Sequence, residues 1–223
     1  MSQSMSQSVY LVPHSQEEIR ILHEDEDLLL VRKPDLLLSV PGRHPANKDC
    51  LITRLRETWP GASIVHRLDL DTSGIMVIPL NKVSHSHISR QFQDRKVAKS
   101  YVAVVYGNFE EDTGMVNLPI AGDWPNKPKQ KICQQSGKYA LTRFSIIERF
   151  PDRTRLLLEP ETGRTHQLRI HMSSIGHPIL GCDMYAHEKA LGMASRLMLH
   201  ATTLSFIHPT SGERLSGKCA PDF

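Results

Sequence analysis

Apolar positions in this chain fall into short runs and alternations more often than into helical stripes. DLLLVRKP (27–34) is a continuous apolar run stopped by proline, the pattern of a buried strand entering a loop. From Asp49 as N-cap, Leu51, Ile52, Leu55 and Trp59 recur at helical spacing until Pro60 ends the segment. SIVHRLD (63–69) reads as a strand leaving the core, D-T-S-G as its turn and GIMVIPL (74–80) as the strand that returns. Val83, Ile88 and Phe92 mark an amphipathic helix over 82–95, and KSYVAVVYG (99–107) alternates around β-branched residues as a long strand. GMVNLPI, KYALTRFSII, RTRLLLEP and LMLHATTLSFIHP read as further strands. Before the last of these, Thr165 is placed to cap a helix whose Leu168, His171, Met172 and Ile175 share one face until Gly176. Strands outnumber helices without strictly alternating with them. The pattern therefore predicts an α+β fold with a mixed, largely antiparallel central sheet and flanking helices.

At 223 residues and 39% hydrophobic content the chain can build a sizeable core, and no linker, long repeat or low-complexity insert divides it. A single domain is expected over 9–223. Residues 1–8 repeat MSQS, are nearly free of apolar side chains and are expected to form a disordered tail, with Met5 as an alternative initiator. That start lacks the charged and apolar regions of a signal peptide, and no apolar run approaches the roughly 18 residues that span a bilayer, so a cytoplasmic protein is expected. Four isolated cysteines without a C-x-x-C indicate neither a disulfide framework nor a cysteine zinc site.

The net charge of +3 is mild, and its distribution says more. Arg90, Arg95, Lys96 and Lys99 fall within ten residues, and Lys127, Lys129 and Lys131 alternate in WPNKPKQK, where prolines forbid a helix and are expected to hold the lysines extended. Either cluster alone reads as a solvated face. The two together, beside arginine-bearing motifs, favour a polyanionic partner.

Two polar segments are dense enough for chemistry. HRLDLDTSG (66–74) sets Asp69 and Asp71 one residue apart before a turn signal, and a plain turn is sufficient to explain it, since Asp, Ser and Thr bond nearby backbone and Gly supplies positive φ. ETGRTHQLRIHM (161–172) puts Arg164 in a loop ahead of a helix. A carboxylate loop and an arginine loop permit a buried Arg–Asp pair that keeps the acid ionised and aimed. His66, His166 and His171 lack the i, i+4 spacing and supporting ligands of a zinc site, and the chain has no phosphate-cradling glycine loop and no G-x-S-x-G elbow. Acid, base or nucleophilic carboxylate chemistry on a charged substrate remains, with no metal and no cofactor.

In that order, HRLDLDTSG, KSYVA (99–103) and GRTHQLRIH (163–171) resemble the three signature segments of the RluA family of RNA pseudouridine synthases. The likeness runs over nearly all of the chain: DLLLVRKPDLLLSVPG resembles the family's opening strand and loop, HPILGCDMY its segment after the helix, and MLHATTLSFIHP its last core strand. One departure is Asp35 and Leu36, where the family usually has a small residue and glycine, and the backbone of that loop is expected to differ. DWPNKPKQKIC, in a short chain without an S4-type RNA-binding domain, is similar to the family's dual-specificity branch.

The resemblance implies a monomeric isomerase that flips a uridine out of structured RNA, with 23S rRNA and the tRNA anticodon stem-loop as partners. It assigns catalysis to Asp69 and leaves Asp71 at a variable place. It puts base packing on Tyr101 and makes Arg164 the salt-bridge partner of Asp69. Arg67 lies two residues before Asp69, on the same side of an extended chain, and is expected to fill the gap left by the flipped base or to hold a phosphate. His66 is grouped with it as substrate-binding, and Lys127, Lys129 and Lys131 are the candidate phosphate clamp. Two other classes stay open: a glycosidase that uses Asp69 and Asp71 as an acid and base pair and releases free base, and an RNA chaperone that needs only the basic segments. Whether Asp69 attacks the sugar or removes a ribose proton also stays open.

Overall fold

The computed structural model describes residues 11–13 and 15–223, so the expected tail over 1–8 lies outside the described residues. In chain order the elements are β1 (Arg20–Glu24), β2 (Leu28–Lys33), α1 (Leu51–Arg56), β3 (Ser73–Pro79), α2 (Lys82–Gln93), β4 (Ala98–Tyr106), β5 (Thr113–Asn117) and β6 (Ile120–Gly122). They continue with β7 (Gln130–Ile132), β8 (Leu141–Arg149), β9 (Arg153–Pro160), α3 (Gln167–Ser174), α4 (Glu188–Gly192), β10 (Leu199–Ile207) and β11 (Arg214–Lys218). One sheet runs β1-β2-β3-β10-β4-β9-β8-β5, with β11 also paired to β10, while β6 and β7 form a separate hairpin. The strand pairs are antiparallel except β3 with β10, so the α+β architecture with a mixed, largely antiparallel sheet is the one expected.

The parallel contact is brief. His200 pairs with Ser73 and Ala201 with Gly74, after which β11 takes over that edge of β10 from Thr203 to Ile207. Gly74 has a φ of 126°, and a Cβ there would stand 2.2 Å from the carbonyl oxygen of Ala201. Only glycine fits a strand start pressed this closely onto its neighbour. The turn that opens β3, closed by the Thr72 N–H donating to the Asp69 carbonyl at 3.2 Å, is thereby fixed over the centre of the sheet.

β2 and β3 are buried along their whole lengths. Leu51, Ile52 and Leu55 of α1, Ile88 of α2 and Phe206 of β10 pack with them in one core. A second core joins Ala103 and Val105 of β4 to Leu156 and Leu158 of β9 and to Leu168 and Met172 of α3. Each fully buried Leu or Ile contributes about 1.5–3 kcal/mol. Tyr101 of β4 packs against both cores, at their seam.

No strand forms over 63–69. β2 takes one edge of β3, β10 takes the other at Ser73 and Gly74, and the segment touches the rest of that edge without forming a ladder: the Ser63 N–H donates to the Pro79 carbonyl at 2.9 Å, and the Val77 N–H is spent on the His66 ring at 3.1 Å. Side chains satisfy its backbone instead: Ser39 Oγ donates to the Leu68 carbonyl at 2.8 Å and accepts from the Leu68 N–H at 3.1 Å. α3 begins one residue later than the Thr165 cap predicts, with His166 as N-cap. Leu36 adopts a φ of 53°, the left-handed backbone that glycine takes freely and a leucine rarely adopts. Among the described residues no helix is long and apolar enough to cross a membrane.

Candidate active site

The Asp69 turn is tied down from beneath by a buried lysine. Lys33 Nζ donates to the carbonyls of Pro34 and Leu37, both at 2.7 Å, and of Leu70 at 3.2 Å, joining the end of β2 to the turn itself. Burial pushes its pKa down to about 7, against the pull of Asp35, Asp71 and Asp69. Above the turn lies an open cleft of about 750 Å³, lined by Asp69, Tyr101, Arg67, Lys99, Arg164 and His166, with Pro128 of the β6–β7 hairpin at its rim. A recess of about 100 Å³ behind it adds Arg169. Asp71 lines neither space.

The structure corrects the expected ion pair. Arg164 lines the cleft, but its Nε donates to the Tyr139 carbonyl at 3.0 Å and its backbone N–H to Gln167 Oε1 at 3.0 Å. Among the described residues the arginine within 4 Å of the Asp69 carboxylate is Arg169, with Nη1 3.7 Å from Asp69 Oδ2 and 3.8 Å from Asp71 Oδ2. The reason is helical geometry. Arg164 precedes α3 in a loop, whereas Arg169 projects from its first turn into the interior and is 1% exposed. Its other groups are committed, Nη2 to Asp183 Oδ1 at 2.6 Å and Nε to Cys182 Sγ at 3.3 Å. Burial works against its charge, but Cys182, Asp69 and Asp183 outweigh it and raise the guanidinium's pKa. Asp71 is raised, by burial first, with Arg169 opposing and Asp183 and Asp69 adding to it.

Tyr101 is held protonated by burial, with the Asp69 charge adding to the effect. His66 forms part of the cleft wall, but its Nε2 accepts the Val77 N–H at 3.1 Å and its ring stacks on Phe92 at 4.6 Å. Burial and Lys99 push its pKa down to about 3, so the ring is neutral and carries its proton on Nδ1. Arg67 is exposed at the mouth, on an irregular segment and not on the strand from which its direction is inferred. The first basic cluster divides: Arg95 and Lys99 line the cleft and Arg90 does not.

Lys127, Lys129 and Lys131 do not line the cleft but are exposed on the hairpin beside it. They are not strung along an extended chain. Pro125 is the second residue of a 3-10 turn over Trp124–Asn126, where a backbone N–H has no partner within the turn, and Lys127 folds back over the exposed Trp124 ring at 4.2 Å. Lys131 lies in β7 opposite Ala121.

Sequence reasoning missed Arg169, Lys33 and Tyr185. Arg169 falls outside the face shared by Leu168, His171, Met172 and Ile175, so a one-faced helix leaves it to solvent and hides its role. Lys33 had a readable signal, as a cation beside Arg32 in a segment whose LLLV marks it as a buried strand. Tyr185, whose Oη accepts the Gln130 N–H at 2.8 Å and lies 2.7 Å from His166 Nδ1, gave none, because its partners are 55 and 19 residues away.

A family model described as RNA pseudouridylate synthase matches residues 27–174. The chain is 48% identical to the dual-specificity RNA pseudouridine synthase RluA of Yersinia pestis over 91% of its own length and 99% of the relative's. It is 45% identical to the protein of the same name from Escherichia coli K12, over 95% and 97%. Its fold is similar to that of human RNA pseudouridylate synthase domain containing 1, with a TM-score of 0.77 and 30% identity over 94% of this chain and 86% of that one.

Proposed function

The chain belongs to the RNA pseudouridylate synthase family, and on that membership and the geometry of its cleft we propose that it isomerises uridine to pseudouridine in structured RNA, with Asp69 as the reacting carboxylate. The observation that carries the assignment is that Asp69, and not Asp71, shares the cleft with Tyr101. In this reaction the N1–C1′ bond breaks, the uracil turns, C5 bonds to the same carbon, and the C5 proton is exchanged for one on N1. Atoms and oxidation state are conserved, so no cofactor is required. Asp69 acts ionised, whether as nucleophile or as base, and the nearby Arg169 charge favours that form.

The target base leaves its stack at a cost of a few kcal/mol, less in a hairpin loop than in a duplex. Packing on Tyr101 returns about 1–3 kcal/mol of this. Arg67, at the mouth, fills the vacated place or holds a neighbouring phosphate, and the hairpin lysines hold the backbone beyond it. The substrates in this reading are a hairpin of 23S rRNA and the tRNA anticodon stem-loop, in keeping with the dual-specificity name of the relatives. The protein acts as a cytoplasmic monomer, the unit being the domain over 9–223.

Mapping pseudouridine in RNA from cells with and without the gene tests the proposal. Loss of sites in both rRNA and tRNA on deletion is expected, and an unchanged map would overturn it. Free uracil released from purified RNA would favour a glycosidase instead.

A further inference from the structure

His166 has no part in the reaction as set out above, yet its conformation and partners are unusual. It is the N-cap of α3 with a φ of 54°, a left-handed backbone uncommon among residues other than glycine, and is only 9% exposed. Its Nδ1 is 2.7 Å from Tyr185 Oη, and its Nε2 is 3.9 Å from Asp69 Oδ2.

These contacts favour one tautomer. Tyr185 Oη accepts the Gln130 N–H at 2.8 Å, and its one hydroxyl hydrogen finds an acceptor in Nδ1. Burial keeps both partners in that state, pushing the phenol up to about 12 and lowering the imidazole's pKa against the opposing charge of Asp69. A neutral imidazole that accepts at Nδ1 carries its proton on Nε2, the nitrogen facing Asp69. At 3.9 Å that N–H does not hydrogen-bond the carboxylate. It is available to an acceptor seated between them, such as a ribose hydroxyl or a uracil carbonyl.

We propose that His166 Nε2–H donates a hydrogen bond to the nucleotide reacting at Asp69, and that Tyr185 is a positioning residue that fixes the donor tautomer and ties it to the β6–β7 hairpin. The proposal rests on the reading of the cleft as a pseudouridine synthase site. Because the backbone of Gln130 in β7 holds Tyr185, the donor is coupled to the element that carries Lys131.

Nitrogen-15 NMR of the histidine rings in the full-length protein at neutral pH reads the tautomer directly, and kinetics on a uridine-containing stem-loop read its use. The Nε2–H form is expected for His166. His166→Leu should lower kcat by about 10²–10³-fold, as loss of a single transition-state donor does. His166→Gln, whose amide can donate, should recover to within about tenfold of the parent. Tyr185→Phe should lose the tautomer bias and drop kcat by about tenfold with KM little changed. An Nδ1–H tautomer in the parent protein, or a fully active His166→Leu, would overturn the proposal. Should His166→Leu fail to fold, the parent's tautomer and the kcat of Tyr185→Phe decide it. A parent protein that makes no pseudouridine would overturn the reading of the cleft, whereas an active parent with indifferent variants overturns only the role of His166.

Discussion

Arg169 Nη1 stands 3.7 Å from Asp69 Oδ2, near enough to stabilise the carboxylate's charge and too far to hydrogen-bond it. The same nitrogen is buried without a hydrogen-bond partner among the described residues. At an effective dielectric of about 20, the attraction across that gap is roughly 4 kcal/mol before desolvation. Asp183, locked to Nη2 at 2.6 Å, keeps the guanidinium from swinging onto Asp69. The carboxylate thus lies close to a cation, with its oxygens left open to the cleft.

Arg169→Lys should therefore lower kcat by about 10²-fold or more, because one ammonium cannot both bind Asp183 and face Asp69. Arg164→Ala should act mainly on KM for RNA, since that side chain lines the cleft without pairing to Asp69. Steady-state kinetics on both variants, with thermal melts to verify folding, checks this. A larger kcat effect from Arg164 than from Arg169 would restore the pairing predicted from sequence.

Joint replacement of Lys127, Lys129 and Lys131 by Ala should weaken binding of a 23S hairpin and an anticodon stem-loop alike. The slope of log K against log salt should flatten by about 2–3, at about 0.7–0.9 per phosphate contact. Binding titrations over a salt series measure it. An unchanged slope means that the hairpin merely faces solvent.

Much of the fold is legible in the sequence because its central strands are buried: β2, β3, β4, β9 and β10 all appear as apolar runs or alternations. β1 and β11 are not, since they are edge strands with mostly exposed side chains and offer no period to read. The 63–69 segment misleads for the opposite reason. It has strand-like composition, but beside β3 the His66 ring takes the Val77 N–H that a ladder would need. The site divides similarly. Short motifs single out Asp69 and Tyr101, which share one cleft, whereas the choice between Arg164 and Arg169 depends on the direction of a helix and on Asp183, a residue outside the motif.

Acid stability carries a signature of His200, which is fully buried with Nδ1 2.8 Å from Ser73 Oγ. Burial, then the Arg32 charge, pushes its pKa down to about 4. Below about 6.5 the unfolded chain binds a proton there that the folded protein does not take up until about pH 4. Stability is therefore complete above 6.5 and falls as the pH drops through that window. Between pH 7 and pH 5 this site should remove about 2 kcal/mol. Denaturant unfolding at both values should show a drop in the parent protein, to which the neutral His66 also contributes, and one smaller by about 2 kcal/mol in His200→Gln. Equal drops would contradict a neutral buried His200.

The most direct test of the account compares Asp69→Asn with Asp71→Asn on a uridine-containing stem-loop, digesting the RNA to nucleosides and quantifying pseudouridine and free uracil. Asp69→Asn should bind RNA normally and form no pseudouridine, because the amide keeps the shape but can serve neither as nucleophile nor as base. Asp71→Asn should stay within about tenfold of the parent, since its carboxylate does not reach the cleft. Pseudouridine formed at the parent rate by Asp69→Asn, or equal losses from both changes, would contradict the assignment of Asp69 as the single reacting carboxylate.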